Sequence, residues 1–244
     1  MSRFHVPPPH RLGHRRHIAD RWMRLTGLVL ALSLAGMMLA LVWWWRPLFL
    51  IPGADNLVMS GGDPHLRALM RTISAGESNV GRPYHVIYGG GLVDSLERHP
   101  NRCEPIRGGP NRGRCSTAAG RYQLLYGTWL EVAQRYHPDR LDGQVDPAEL
   151  VFSELAQDLV VHAWLADSRF WRVELAELLR QDRLDEVLKR LSGTWTSLGY
   201  GIESHAMTQR LPRIYHQVLE AELRRAPRPM AENDKGRAAE TARP

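Results

Sequence analysis

One segment, Asp63–Ser78, constrains the fold of this chain most strongly; its sequence is DPHLRALMRTISAGES. Asp63 followed by Pro64 is typical of a helix start, because the aspartate caps free N–H groups and proline has no N–H to leave unpaired. Apolar side chains then recur at the spacing of one helix face, at Leu66, Leu69, Met70 and Ile73. The segment therefore predicts a short amphipathic helix that ends near Gly76 and needs other elements to cover its apolar face.

Glu77 is the candidate functional residue of this segment, because it falls at the C-terminal end of the predicted helix. The negative end of the helix dipole favours the protonated form of a carboxyl group there. Cleavage of a glycosidic bond requires an acid that keeps its proton near neutral pH. The alternative is that Glu77 is a solvated loop residue, and the segment alone does not exclude it.

A second constraint is the uncharged run of 21 residues at 25–45, which ends in Trp43, Trp44 and Trp45. As a helix it would span roughly 30 Å, the hydrocarbon thickness of a bilayer. The basic residues before it predict a cytoplasmic N-terminus. A cleaved signal peptide is the alternative, although its apolar core is usually shorter. We therefore expect a single-pass anchor in a bacterial inner membrane, with the lipid bilayer as a partner through residues 25–45 and the following domain in the periplasm.

The net charge of +6 belongs to the N-terminal arm and not to the rest of the chain. Residues 1–46 hold seven arginines against one acid, which leaves 25 basic and 25 acidic residues after them. A nucleic-acid-binding domain should carry its own basic face. We therefore expect no nucleic-acid partner.

The two cysteines, Cys103 and Cys115, enclose a segment rich in Gly, Pro and Arg. Such a segment has little to bury, and closing a loop of this length by a disulfide stabilises it by about 3 kcal/mol in the chain-entropy model. Two free thiols are the alternative. Because two cysteines cannot form a structural zinc site alone, we expect no metal and no cofactor. A disulfide would also indicate a location outside the cytosol.

The rest of the chain is predicted to be mostly helical. Alternation at 84–88, followed by three glycines at 89–91, predicts one short strand and a tight hairpin. Helices are expected at 122–136, 146–166 and 207–223, and one or two more at 170–191 with a break near Gln181-Asp182. Residues 197–201 are expected to form a turn. The expected organisation is a basic cytoplasmic arm at 1–24, a transmembrane anchor at 25–45, a linker at 46–62, one α+β domain at 63–223 that is mostly α, and a disordered tail at 224–244.

Several motifs resemble a known family when they are taken in order and at their spacing. They are the acid at Glu77, the Tyr84–Gly90 segment, His99-Pro100, the Ala-Gly-Arg-Tyr-Gln-Leu-Leu run at Ala119–Leu125, and Trp195 with Gly199-Tyr200-Gly201. With these the chain resembles, over roughly residues 66–220, the lytic transglycosylases of the bacteriophage lambda endolysin type (glycoside hydrolase family 104). The resemblance implies that residues 63–223 form a lysozyme-like catalytic domain that acts on the glycan strands of peptidoglycan.

The resemblance also implies roles for individual residues. Glu77 would be the sole catalytic acid and would cleave the bond between N-acetylmuramic acid (MurNAc) and N-acetylglucosamine (GlcNAc) to leave a 1,6-anhydro product. The substrate-binding residues would be Ser78, Tyr88, Gly120, Arg121, Tyr122, Gln123 and Tyr200. Tyr122 and Trp195 could instead belong to the core, and Arg121 could be a surface or capping residue.

Two other functions stay open at this point. The stretch between Gly91 and His99 departs from the family pattern, and Asp94 or Glu97 could act as a second carboxylate in a hydrolytic lysozyme. A membrane-tethered, non-catalytic glycan-binding scaffold is the third candidate, although binding alone does not need Glu77. The sequence does not distinguish wall remodelling, phage lysis and a secretion apparatus, but a tether favours the confined roles because a fixed enzyme reaches only nearby wall. Envelope-spanning machinery is therefore a candidate partner.

Overall fold

The chain divides into two units, Met1–Pro47 and Leu48–Pro244. The computed structural model describes residues 32–38, 51–141, 144–200 and 207–226. In the first unit, residues 32–38 form helix α1, whose large apolar side chains are exposed. The predicted arm at 1–24, the start of the linker and most of the predicted tail lie outside the described residues.

The predicted membrane anchor is not supported. The described part of residues 25–45 is α1, which would be about 10 Å long at the rise of an α-helix, and the remainder lies outside the described residues. No helix in the described ranges is both long and apolar enough to cross a bilayer. The predicted localisation, a single-pass inner-membrane protein with a cytoplasmic N-terminus and a periplasmic catalytic domain, is therefore contradicted. The bilayer and envelope-spanning machinery have no support as partners either.

Helix α2, Pro64–Glu77, lies at the centre of the second unit and confirms the predicted amphipathic helix. The Asp63 carboxylate accepts hydrogen bonds from the backbone N–H groups of His65 at 2.8 Å and Leu66 at 3.2 Å, which caps the helix. Its predicted apolar face is buried throughout. This face packs mainly against the last helix of the unit and also against two helices from the middle of the chain.

The remaining helices surround α2. They are α3 Tyr126–Tyr136, α4 Glu154–Ala166, α5 Ser168–Trp171, α6 Leu175–Arg180, α7 Leu184–Leu191 and α8 Leu211–Arg225. The break predicted near Gln181-Asp182 is confirmed, since Asp182 has a left-handed φ of 58° between α6 and α7. Arg172, with φ of 59°, adds a second break after α5. The predicted helix at 146–166 is a 3-10 turn, Pro147–Glu149, followed by extended residues and then α4.

The β-structure is small, as predicted, but it lies in a different place. Strand β1, Glu104–Pro105, pairs antiparallel with β2, Cys115–Ser116, inside the cysteine-rich segment. The Cys103–Cys115 disulfide is present and closes this hairpin. The strand predicted at 84–88 is wrong, since 3-10 turns at Pro83–His85 and Tyr88–Gly90 leave only isolated bridges at the two residues between them.

The predicted linker contributes to the core. Ile51, Ala54, Leu57 and Met59 are buried in the same apolar cluster as α2. Hydrogen bonds to side chains of the domain hold this segment in place. For example, the backbone N–H groups of residues 58 and 59 donate to the Asp158 carboxylate. The folded unit therefore begins before Asp63.

A buried ionic cluster fixes α8 on α2. The Glu222 carboxylate on α8 accepts hydrogen bonds from Arg67 and Arg71 on α2, each at 2.7 Å. Burial opposes ionisation of Glu222, but the hydrogen bonds and charges of the two arginines outweigh it and hold its pKa below the ordinary value. This cluster secures the helix that carries Glu77.

Candidate active site

A cleft of about 660 Å³ lies at the C-terminal end of α2. Its walls are residues 76–80, the turn at 86–90, parts of the disulfide hairpin and of the chain after it, and residues 193–197. Four residues predicted to act on substrate line this cleft, namely Glu77, Ser78, Tyr88 and Gln123. The cleft is therefore the candidate active site.

Glu77 is the last residue of α2 and is partly exposed in the cleft. The hydroxyl of Ser197 donates a hydrogen bond to its Oε1 at 2.6 Å. Ser197 is buried in the 3-10 turn Thr196–Leu198. A Cβ atom on Gly76 would lie 2.8 Å from the Ser197 oxygen, so a glycine at that position allows the turn to approach the helix end.

The sequence did not indicate that Ser197 would be the partner of Glu77. The residue was predicted only as part of a turn within the family-like segment that starts at Trp195. That segment was the sequence signal that could have pointed to Ser197, because the order of the motifs placed it near Glu77. Trp195 itself is buried and donates from Nε1 to the backbone oxygen of Tyr122 at 2.9 Å, so it is a core residue.

Glu77 provides the only carboxyl group among the described residues that line the cleft. Asp94 and Glu97, the candidates for a second carboxylate, are exposed and do not line it. Glu97 instead lines a separate open hollow that includes Arg98 and Glu149. The described structure therefore brings neither of them to the cleft beside Glu77.

Ser78 borders the cleft but is buried, and Arg121 and Tyr122 lie behind the cleft wall. Ser78 is buried, and its hydroxyl donates to the backbone oxygen of Arg121 at 2.6 Å. The Arg121 side chain is fully buried and donates to the Tyr84 hydroxyl at 3.1 Å and to backbone carbonyls in the 53–56 segment. Neither side chain is available to a glycan strand in this arrangement, and the surface position considered for Arg121 is wrong.

Tyr122 is a core residue, which was the stated alternative to its predicted role in substrate binding. Its hydroxyl donates to Oδ1 of Asp158 at 2.6 Å, while the Tyr84 hydroxyl donates to Oδ2 at 2.9 Å. Burial, and then the charge of Asp158, raise the pKa of Tyr122 far above its usual value, so this tyrosine stays neutral. Through Asp158, these bonds tie the 3-10 turn that holds Tyr84 and the segment around Tyr122 to α4.

Gly120 and Gln123 shape the wall next to Glu77. Gly120 has φ of +74°, and a Cβ there would lie 2.3 Å from Oε1 of Gln157, so the position needs glycine. Gln123 also has positive φ, and its Nε2 donates to the backbone oxygens of Val86 at 3.2 Å and Gly120 at 3.0 Å. These bonds fix the Gln123 side chain at the cleft, whereas Gly120 is buried and supports it.

Tyr200 is not among the described residues that line the cleft. Its side chain is 47% exposed, and slight burial together with Asp185 on α7 raises its pKa. Residues 201–206, which follow it, lie outside the described residues. Within the described ranges, no group of three or more His, Cys, Asp or Glu side chains could hold a metal ion.

Comparison with known proteins identifies the family. The family model described as Endolysin matches residues 67–220, which is more than half of the chain. The chain therefore belongs to the endolysin family, and the predicted resemblance is confirmed. It is a lysozyme-like glycosidase that degrades peptidoglycan, which favours an enzyme over the non-catalytic scaffold.

Two solved structures are similar to this chain. One is the lysozyme of bacteriophage lambda in complex with a chitohexasaccharide, with 24% identity and a TM-score of 0.48, covering 66% of this chain and 97% of that one. The other is lysozyme from bacteriophage lambda, with 23% identity and a TM-score of 0.46, and the match covers 67% of this chain and 97% of that lysozyme. A search among curated proteins gave no match.

Proposed function

We propose that this enzyme is a lytic transglycosylase that cleaves the β-1,4 bond between MurNAc and GlcNAc and forms 1,6-anhydro-MurNAc. The observation that carries the proposal is the single carboxyl group, Glu77, among the described residues of the cleft. Glycosidases that use water place a second carboxyl group beside the first, as a nucleophile or as a base. With one carboxyl group among the described residues of the cleft, we assign the nucleophile to the substrate itself.

Glu77 acts first as an acid and then as a base in this mechanism. Its proton passes to the glycosidic oxygen, the C1–O bond breaks, and GlcNAc leaves with a hydroxyl group. The Glu77 carboxylate then accepts the proton of the MurNAc C6 hydroxyl as that oxygen bonds to C1. Glu77 therefore ends the reaction protonated, as it began, and no water is consumed.

The surroundings of Glu77 support both roles. The C-terminal end of α2 favours the neutral acid before the reaction, because the negative end of the helix dipole opposes a carboxylate. The Ser197 hydroxyl, 2.6 Å from Oε1, fixes the orientation of the carboxyl group and favours protonation of the other oxygen. Once the proton has left, the same hydrogen bond stabilises the carboxylate.

Tyr88 and Gln123 keep their predicted contact with the glycan strand, because both line the cleft. A tyrosine ring offers a face for a sugar and a hydroxyl for hydrogen bonding. The amide nitrogen of Gln123 is held by two carbonyls, and we assign its oxygen to accept from a sugar hydroxyl or acetamido N–H group. Ser78, Gly120, Arg121 and Tyr122 hold this wall from behind. Tyr200 has no role in the proposal.

Digestion of purified peptidoglycan followed by mass spectrometry of the muropeptides tests the proposal. We expect 1,6-anhydro ends, which are one water lighter than reducing ends. Glu77→Gln should abolish product formation while the protein stays folded, and Glu97→Gln, outside the cleft, is the matched control that should retain it. Products with reducing ends alone would make the enzyme a hydrolytic lysozyme.

A further inference from the structure

The disulfide hairpin carries positive charge that the proposed reaction does not use. Three arginines lie between its cysteines, Arg107, Arg112 and Arg114, and none of them takes part in an ion pair among the described residues. The acid of the same segment, Glu104, is already paired with Arg102 at 2.9 Å. The hairpin therefore has cationic groups available for an external anion.

A second cavity adjoins the active-site cleft at this hairpin. It has a volume of about 530 Å³ and shares Ile87, Tyr88 and Gly89 with the cleft. Its other wall includes the paired side chains of Arg102 and Glu104 together with Pro105 and Arg107, so Arg107 is the cation of this wall without an ionic partner among the described residues. We call it the side hollow. A ligand in the cleft can therefore extend past the turn at residues 87–89 and reach Arg107.

The chemistry of the glycan strand supplies a group for such a hollow. Each MurNAc carries a lactyl group that projects sideways from the strand and ends in a carboxyl carbon. That carbon is either a free carboxylate or the amide link to a stem peptide, whose own residues carry free carboxylates. Guanidinium groups bind carboxylates through two parallel hydrogen bonds, so an arginine-lined cavity beside the glycan cleft suits this substituent.

We propose that the side hollow binds the acidic stem peptide of the muramyl residue, with Arg107 as the residue that recognises its carboxylate. This inference rests on the proposed function, because it needs a muramyl sugar in the cleft. Arg107 is exposed in the unliganded protein, so the contribution of the contact is modest and decreases with salt. Arg112 lies in the same hairpin but lines neither cavity, which makes it a matched control for charge.

Isothermal titration calorimetry with defined oligosaccharides tests the proposal. All proteins carry Glu77→Gln so that the ligand is not consumed, and mass spectrometry of each sample verifies that it is intact. The ligands are a GlcNAc-MurNAc tetrasaccharide with peptide stems, the same sugar after an amidase has removed the stems, and chitotetraose. We expect the stemmed sugar to bind about fivefold more tightly than the stemless one. Arg107→Ala should remove this difference, Arg107→Lys should keep part of it, and Arg112→Ala should keep all of it.

Three results would overturn the assignment. One is equal affinity for the stemmed and stemless sugars. Another is an equal loss in Arg107→Ala and Arg112→Ala, which would indicate general attraction to a basic hairpin. The third is an equal loss of affinity for the stemmed and the stemless sugar in Arg107→Ala, which would assign the site to the lactyl carboxylate. A failure of the transglycosylase proposal would appear separately, as reducing-end products of the wild-type enzyme.

Discussion

Replacing Ser197 by alanine removes the hydroxyl that donates to Glu77 and deletes a single oxygen atom. The donor–acceptor distance of 2.6 Å is short for an O–H···O bond, as is typical of charged acceptors. A hydrogen bond to a carboxylate is worth about 2 kcal/mol, against about 1 kcal/mol for a neutral acceptor. The difference of about 1 kcal/mol develops only as Glu77 loses its proton, so we expect kcat to fall about fivefold with little change in KM.

The matched control for this variant is Ser192→Ala. The Ser192 hydroxyl is also buried and donates to the backbone oxygen of Lys189 at 2.7 Å, at the end of α7 and outside the cleft. Both variants should lose about 1 kcal/mol of stability, whereas only Ser197→Ala should lose activity. The assay is the initial rate on soluble glycan strands, well below both unfolding temperatures. Equal kcat values for the two variants would refute the role assigned to Ser197.

Two further predictions concern stability. The pKa of Glu222 is depressed in the folded protein, so the stability it contributes is present above the ordinary pKa of 4.5 and is lost as the pH falls through the lower folded value. Glu222→Gln should lower the free energy of unfolding by about 3–5 kcal/mol, measured in urea at pH 7. It should also reduce the loss of stability as the pH falls, and a pH dependence of stability identical to that of the wild type would contradict this. Gly120→Ala should lower the free energy of unfolding by about 3 kcal/mol, because φ is +74° and the added Cβ would collide with Gln157. Gly127→Ala, at an exposed position of α3 with open space for a methyl group, should be neutral or stabilising, and equal losses in the two variants would exclude strain as the cause.

The features predicted correctly from the sequence are mainly local ones. The Asp63 cap contacts N–H groups two and three residues away, and the apolar face of α2 repeats within a few turns. A short window of sequence contains all of that information. The position of Glu77 at the end of α2 follows from the same window, and the family resemblance then gave it a chemical role.

The errors come from contacts between distant parts of the chain. The Ser197–Glu77 hydrogen bond joins residues 120 positions apart. The alternating segment at 84–88 pairs its backbone groups with separate segments of the chain, such as the N–H of Gly120 with the carbonyl of Val86 at 2.8 Å, so no continuous strand pair forms. Arg121 was predicted to bind substrate, with a surface or capping position as the alternative. It is buried instead, because its charge finds acceptors in Tyr84 and in a segment more than 60 residues away.

The central claim is that Glu77 works alone and that the substrate's own hydroxyl completes the reaction. Digestion of peptidoglycan in water enriched in oxygen-18 tests it most directly, because a hydrolase must place a solvent oxygen on C1 of the product. We predict anhydro-muropeptides of unshifted mass, absent with Glu77→Gln. Muropeptides with a reducing end that carries oxygen-18 would contradict the account.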